Sequence, residues 1–111
     1  MTEAFAALVG LDKIVHEPAR LALLTALSAC RSADFVSLQR LTGLTKGNLS
    51  THLTKLEEAG LVEIEKQFVG KKPNTLVRLT PEGRKAIEEH WQALERLHRD
   101  AQQWQGVDGR R

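Results

Sequence analysis

A chain of 111 residues, 41% hydrophobic and 27% charged, has the size and composition of one globular domain with a modest core, too short to add a second, catalytic domain. A net charge of +2 and a pI near 8.9 select no partner by themselves, and no apolar run approaches the ~20 residues of a membrane span. The single cysteine, Cys30, excludes an internal disulfide framework and points to a reducing cytoplasm.

Residues 1–11 lack the basic start and long apolar run of a signal peptide, so a cytoplasmic protein is expected. Ala4 to Val9 is short and apolar, Gly10 interrupts it, and Leu11, Ile14 and Val15 continue it. This reads as a first helix kinked at Gly10. Its Phe5 and Leu8 are more apolar than a free arm should expose, so they are expected to pack on another element or a second subunit. Pro18 starts a new helix at its first position and carries it to about Arg31, with Leu23, Leu24, Leu27 and Cys30 as the buried stripe.

Ser32 to Asp34 reads as a break. Phe35 to Thr42 is a short helix with Leu38 and Leu41 inward, and Gly43-Leu44-Thr45 is a tight turn whose glycine supplies the left-handed residue. The next helix opens at Thr45, an N-cap, and stops at Gly60. Leu49, Leu53, Leu56 and Ala59 make its inward stripe. Its outer face over the first two turns carries Lys46, Gly47, Asn48, Ser50, Thr51 and Thr54, short hydrogen-bonding groups that permit close approach to duplex DNA. From Glu57 onward the outer side turns acidic. Two short helices around a glycine-containing turn form a helix-turn-helix.

Leu61 to Phe68 alternates, with Val62, Ile64 and Phe68 on one side, and Leu76 to Leu79 is a second strand. Between them, Val69 to Thr75 is a turn-forming run with two lysines, so the pair reads as a hairpin with a basic tip, a wing. Between Arg40 and Arg78 there are seven Lys/Arg against four Glu, a local basic excess that fits a phosphate-binding surface.

Thr80-Pro81-Glu82 opens the last helix, which runs to about Trp104, roughly 36 Å. Ile87, Trp91, Leu94, Leu97, Ala101 and Trp104 form a near-heptad stripe. A helix this long overhangs so small a domain, and the simplest partner for the stripe is the same helix of a second copy. Residues 106–111 are expected to be disordered. The fold class is therefore mainly α with a small β-hairpin: a winged helix-turn-helix over residues 1–105 (helix-turn-helix about 35–60, wing about 61–79) with a long terminal dimerisation helix. No Ser/His/Asp order, glycine-rich phosphate loop or metal cluster appears, so no catalytic role, metal or other cofactor is expected.

His16-Glu17-Pro18-Ala19-Arg20-Leu21-Ala22-Leu23-Leu24 resembles the helix opening of ArsR-type regulators. Leu41 to Thr45, followed by Leu49-Ser50-Thr51-His52-Leu53 and Leu56 to Val62, resembles the recognition-helix signature shared by ArsR- and MarR-type repressors, and Leu79-Thr80-Pro81-Glu82-Gly83 is similar to the post-wing motif of MarR-type proteins. The resemblance covers about residues 11–85. It implies a homodimeric transcriptional regulator, a repressor, on a near-palindromic operator. It places Lys46, Asn48, Ser50 and Thr51 at base edges or nearby phosphates, Lys55 on phosphate, and Lys71, Lys72 and Asn74 as wing contacts. Arg78 either steadies the wing base or reaches phosphate, and His52 makes either a backbone contact to DNA or a structural hydrogen bond. The chain departs from metal-sensing ArsR members in lacking their cysteine pair, and it is shorter than most MarR members, so no small-molecule effector is indicated. The alternative is a winged-helix module that binds protein rather than a specific DNA sequence.

Overall fold

The computed structural model describes residues 3–104 and 106, without the side chains of Ala4, Ala7 and Leu8. The elements run α1 (Glu3–Val9), α2 (Pro18–Ser28), β1 (Ala33–Asp34), α3 (Phe35–Thr42), α4 (Lys46–Glu58), β2 (Val62–Val69), β3 (Lys72–Leu79) and α5 (Pro81–Gln103). Local chemistry sets most boundaries. The Glu17 carboxylate caps α2 by accepting from the Arg20 amide at 2.8 Å, and Pro18 follows it at the first position. Asp34 caps α3, Thr45 caps α4 and Thr80 caps α5, each accepting from the amide three residues on. Gly43 and Gly60, at φ +72° and +77°, stop α3 and α4.

The core sits where α2 meets α3, α4, α5 and β3. Leu23, Leu24 and Leu27 of α2, Leu38 of α3, Leu49, Leu53 and Leu56 of α4, Val77 of β3 and Ile87 of α5 are buried together, with Leu44 packed against them from the turn. The antiparallel sheet has the order β1-β3-β2. Its third strand replaces the break expected at 32–34: Ala33 and Asp34 pair with Val77 and Leu76 and cover the free edge of β3. Two residues are too few for any periodic signal in sequence.

Several side chains depart from their expected places. Cys30 is exposed, because α2 ends at Ser28 and helical phase no longer governs the chain beyond it. Leu41 is exposed as well. The inward side of α3 is Phe35, Leu38, Gln39 and Thr42, a stripe that leaves Leu41 outside it. Ala59 is exposed at the C-cap of α4. The hairpin is longer and its tip tighter than expected, since pairing continues to Val69↔Lys72 and leaves only Gly70 and Lys71 in the turn. Lys72 and Asn74 are thus strand residues, and Phe68 projects past the core at 73% exposure.

At the N-terminus α1 stops at Val9 instead of kinking at Gly10, and it packs along α5 of its own chain, with Phe5 half-buried. The side chain of Leu8 lies outside the described residues, as does the expected disorder of 106–111 apart from Gly106. No described helix is long and apolar enough to cross a membrane. Along α5, Ile87 is buried, Leu94 and Leu97 are half-buried, and Trp104 caps the helix at 61% exposure. The Trp91 indole donates to the Thr25 hydroxyl of α2 at 2.9 Å and keeps one side in solvent.

Two features of α5 were not legible in the sequence. Gly83 is buried against the chain leaving α4, and a Cβ there would collide with the Leu61 carbonyl. The same junction is tied by the Thr80 hydroxyl donating to the Gly60 carbonyl and the Thr80 amide donating to the Leu61 carbonyl. His90 is buried, with its Nε2 3.2 Å from Nδ1 of His16 in the loop before α2. Burial holds its imidazole below the ordinary value of 6.5, and the neighbouring His16 adds to the effect.

Gly83→Ala is expected to lower the unfolding free energy by about 2 kcal/mol in urea titrations, against the gain of ~1 kcal/mol that Gly→Ala brings in an unobstructed helix. A stabilised variant would show that the junction is not tight. The lowered His90 value means that the unfolded chain binds this proton first. Stability is therefore full above pH 6.5 and is lost as pH falls below it. The melting temperature is expected to drop between about pH 7 and pH 5, with a flatter profile in His90→Leu. The Glu17 and Asp34 carboxyls, also lowered, act only below their ordinary 4.5 and 3.8. An unflattened profile in the variant would assign the acid loss to other groups.

Candidate nucleic-acid interface

The leucine stripe of α4 turns the opposite side of the helix outward. Lys46, Asn48, Ser50, Thr51, Thr54 and Lys55 are all exposed, and the groups of the first two turns are mostly short. Gly47 adds no side chain at all, and a Cβ there would meet nothing within 4 Å, so the glycine leaves open space at the surface. The Thr51 hydroxyl donates to the Gly47 carbonyl at 3.0 Å, which holds its methyl and lone pairs in a fixed direction.

The exposed groups divide into two edges. Lys46, Ser50 and Thr54, spaced four apart, line a cleft of about 720 Å³ between α4 and the wing. The opposite wall is Lys66, Pro73, Asn74 and Thr75. Asn48 and Lys55 stand on the other edge of the helix. The structure thus brings Lys46, Ser50 and Asn74 to one cleft, and it places Lys71 at the wing turn with Lys72 beside it. Lys66 joins this surface although it was not among the expected contacts. Its signal was present in the sequence, since period-two alternation puts Lys66 on the same face as Val62 and Ile64.

His52 is directed inward. Its Nδ1 lies 3.2 Å from a guanidinium nitrogen of Arg20, and its Nε2 lies 3.9 Å from the Glu17 carboxylate. A guanidinium only donates, so Nδ1 is the acceptor and the ring proton sits on Nε2, facing Glu17. Of the two roles open to His52, the geometry supplies the structural hydrogen bond. Arg20 is itself buried, donating to the carbonyls of Ile14 and Lys13 at 2.6 and 3.3 Å. Burial raises the Glu17 carboxyl, but hydrogen bonds from the Arg20 and Ala19 amides and the nearby Arg20 charge outweigh it and leave Glu17 below its ordinary range. This cluster ties the start of α2 to the middle of α4 and so sets the rotation of the helix that carries the outward face.

At the root of the wing, Arg78 reaches two carboxylates of β2, with Nε 3.2 Å from Glu63 and a terminal nitrogen 3.2 Å from Glu65. Its hydrogen bonds to Glu65 and then Glu63 push its pKa above the ordinary arginine value. Of its two possible roles, the geometry supplies the steadying of the wing base, where the one guanidinium is shared by the two acids nearest the tip.

A profile of the winged helix DNA-binding domain matches residues 19–98. A curated relative, an uncharacterised protein of Methanocaldococcus jannaschii, is 35% identical over 78 residues, which span 70% of this chain and 85% of the relative. Among solved structures, the transcriptional regulator homologue protein from Pyrococcus horikoshii OT3 superimposes with a TM-score of 0.82 at 28% identity, over 90% of this chain and 98% of that one. A MarR-family transcriptional regulator from Enterococcus faecalis V583 superimposes with a TM-score of 0.66 at 26% identity, over 82% and 81% of the two chains. The helix-turn-helix with its wing and long closing helix, and the profile that spans nearly all of them, establish that this chain belongs to the winged helix DNA-binding domain family.

Proposed function

We propose that this chain is a sequence-specific transcriptional regulator that binds duplex DNA as a homodimer and represses by occluding its operator. The observation that carries the reading is the outward face of α4: short polar groups beside an open glycine, with a basic hairpin across the cleft. An α-helix fits the major groove, where base edges present distinct donors and acceptors. Lys46, Asn48, Ser50 and Thr51 are the groups that would read or flank bases there. Lys55, Lys71 and Lys72 would hold phosphates, and Asn74 would assist from the cleft wall.

The dimer rests on α5. The molecule measures 66 × 25 × 21 Å, an elongation that a 23-residue helix extending past a small domain produces. Beyond Ala93 its apolar residues, Leu94 and Leu97, are no more than half-buried within the chain, and Trp104 is exposed. Pairing two such helices, with half-buried Phe5 of α1 and with Trp91 toward the root of the stripe, would bury this surface, while Ile87, already enclosed in its own core, would take no part. It would also set two copies of α4 about one DNA turn apart, ~34 Å, the spacing of a near-palindromic operator.

Binding is measured on genomic fragments selected by the wild-type chain. Lys71→Ala with Lys72→Ala is expected to weaken binding to all sequences and to reduce the salt slope by about one unit for each phosphate no longer held. Asn48→Ala is expected to change base preference at one position instead. An unchanged affinity and slope in the lysine pair would sink the wing assignment. Sedimentation is expected to give twice the mass of one chain for the wild type and a shift toward the single-chain mass for Leu94→Glu with Leu97→Glu. A wild-type chain that sediments singly at high concentration would remove the dimer.

A further inference from the structure

The wing carries an apolar feature that phosphate contacts do not explain. Phe68 is 73% exposed, two residues before the turn, and it pairs across the hairpin with Pro73. Alternation places Phe68 on the face of β2 that holds Val62, Ile64 and Lys66, the face turned toward α4. Pro73 lines the cleft between wing and helix, so the apolar pair continues that cleft outward to the hairpin tip. An exposed aromatic ring backed by a proline is apolar surface left in water, and its burial by a partner would be favourable.

The surroundings select the occupant. From Lys66 to Arg78 the chain has Lys66, Lys71, Lys72 and Arg78 and no carboxylate, and the acids at the root, Glu63 and Glu65, are already held by Arg78. A ring flanked by lysines on an acid-free tip complements a polyanion that also offers an apolar crevice. Duplex DNA has both, since its minor groove is walled by sugars and edged by phosphates. The hairpin narrows to a two-residue turn at Gly70 and Lys71, slim enough for that groove, while α4 takes the adjoining major groove.

We propose that Phe68, backed by Pro73, is an apolar minor-groove contact of the wing that sits against or between base steps while Lys71 and Lys72 hold the phosphates on either side. This rests on the DNA-binding reading above and adds a second, shape-dependent element to it. Apolar wedges of this kind widen the minor groove and favour easily unstacked pyrimidine–purine steps. The wing would therefore choose among flanking sequences by deformability, without hydrogen bonds to base edges.

The test uses full-length Phe68→Ala and Phe68→Leu with the genomic fragments that the wild type selects. Phe68→Ala is expected to lose about tenfold in affinity, as removal of a base-stacking side chain does. Its salt slope should not change, because no charge is removed. Phe68→Leu should keep most of the affinity. Inosine and diaminopurine, which remove or add the amino group on the minor-groove floor, are substituted at the step the wing covers. They should change wild-type affinity and leave Phe68→Ala unaffected. Equal affinity of wild type and Phe68→Ala, with equal response to the modified bases, would overturn the contact while leaving the helix and lysine assignments standing. A Phe68→Ala chain that keeps its affinity but sediments at half the wild-type mass would overturn it too and assign the ring to a second copy. A wild type that binds no fragment at low salt would overturn the DNA-binding reading as a whole, and this contact with it.

Discussion

Burial of the α4 leucine stripe is the interaction on which the rest of the molecule depends. Leu49, Leu53 and Leu56 are at most 2% exposed and lie in the same core as Leu23, Leu24 and Leu27 of α2. Each such leucine contributes about 1.5–3 kcal/mol relative to leaving it in water, so a rotation that withdrew even one of them would be unfavoured. The consequence reaches the surface. A helix has one angular setting, and fixing its apolar side fixes which groups look outward. The polar face of α4 is thus directed by hydrophobic packing on its far side.

Two smaller fastenings sharpen that setting. Halfway along α4, Arg20 and Glu17 hold His52 from the start of α2, with every polar group of the trio facing another or a loop carbonyl. At its end, the chain turns through Gly60, and Leu61 meets the first turn of α5 where only a glycine at 83 leaves room. The Thr80 hydroxyl serves both sides of this junction, donating to Gly60 and accepting from Gly83. The helix proposed to read DNA and the helix proposed to pair two copies are therefore in direct mechanical contact. Any change in how α5 is seated would act on α4 through backbone atoms rather than through a flexible side chain.

Charge in the wing is sorted along its length. Glu63 and Glu65 sit at the root, paired with Arg78, and the lysines occupy the tip. The root pairs are exposed and salt-screened, so they add little stability. Their effect is to lessen the negative potential beside the surface proposed to approach phosphates, while the outer hairpin carries lysines and no acid.

The sequence by itself determined the elements that are encoded locally. Caps at Thr45 and Thr80, left-handed glycines at 43 and 60, prolines at 18 and 81 and the leucine spacing of α4 all act within a few residues, so the starts of α2, α4 and α5, the stops of α3 and α4 and the candidate reading face were legible. Family membership was legible too, because its motifs combine these same signals in order. Only the tertiary structure decided what depends on partners far along the chain. The pairing of Ala33 with Val77 turned a break into a strand, and the reach of the hairpin left Phe68 outside the core despite its alternation. Cys30 and Leu41 went outward because a periodic pattern gives a direction only while the helix lasts and only relative to a neighbour that is there. The same holds for Arg20, His52, Gly83 and His90. A polar residue or a glycine reads alike in sequence whether it faces water or another element, and only packing distinguishes the two.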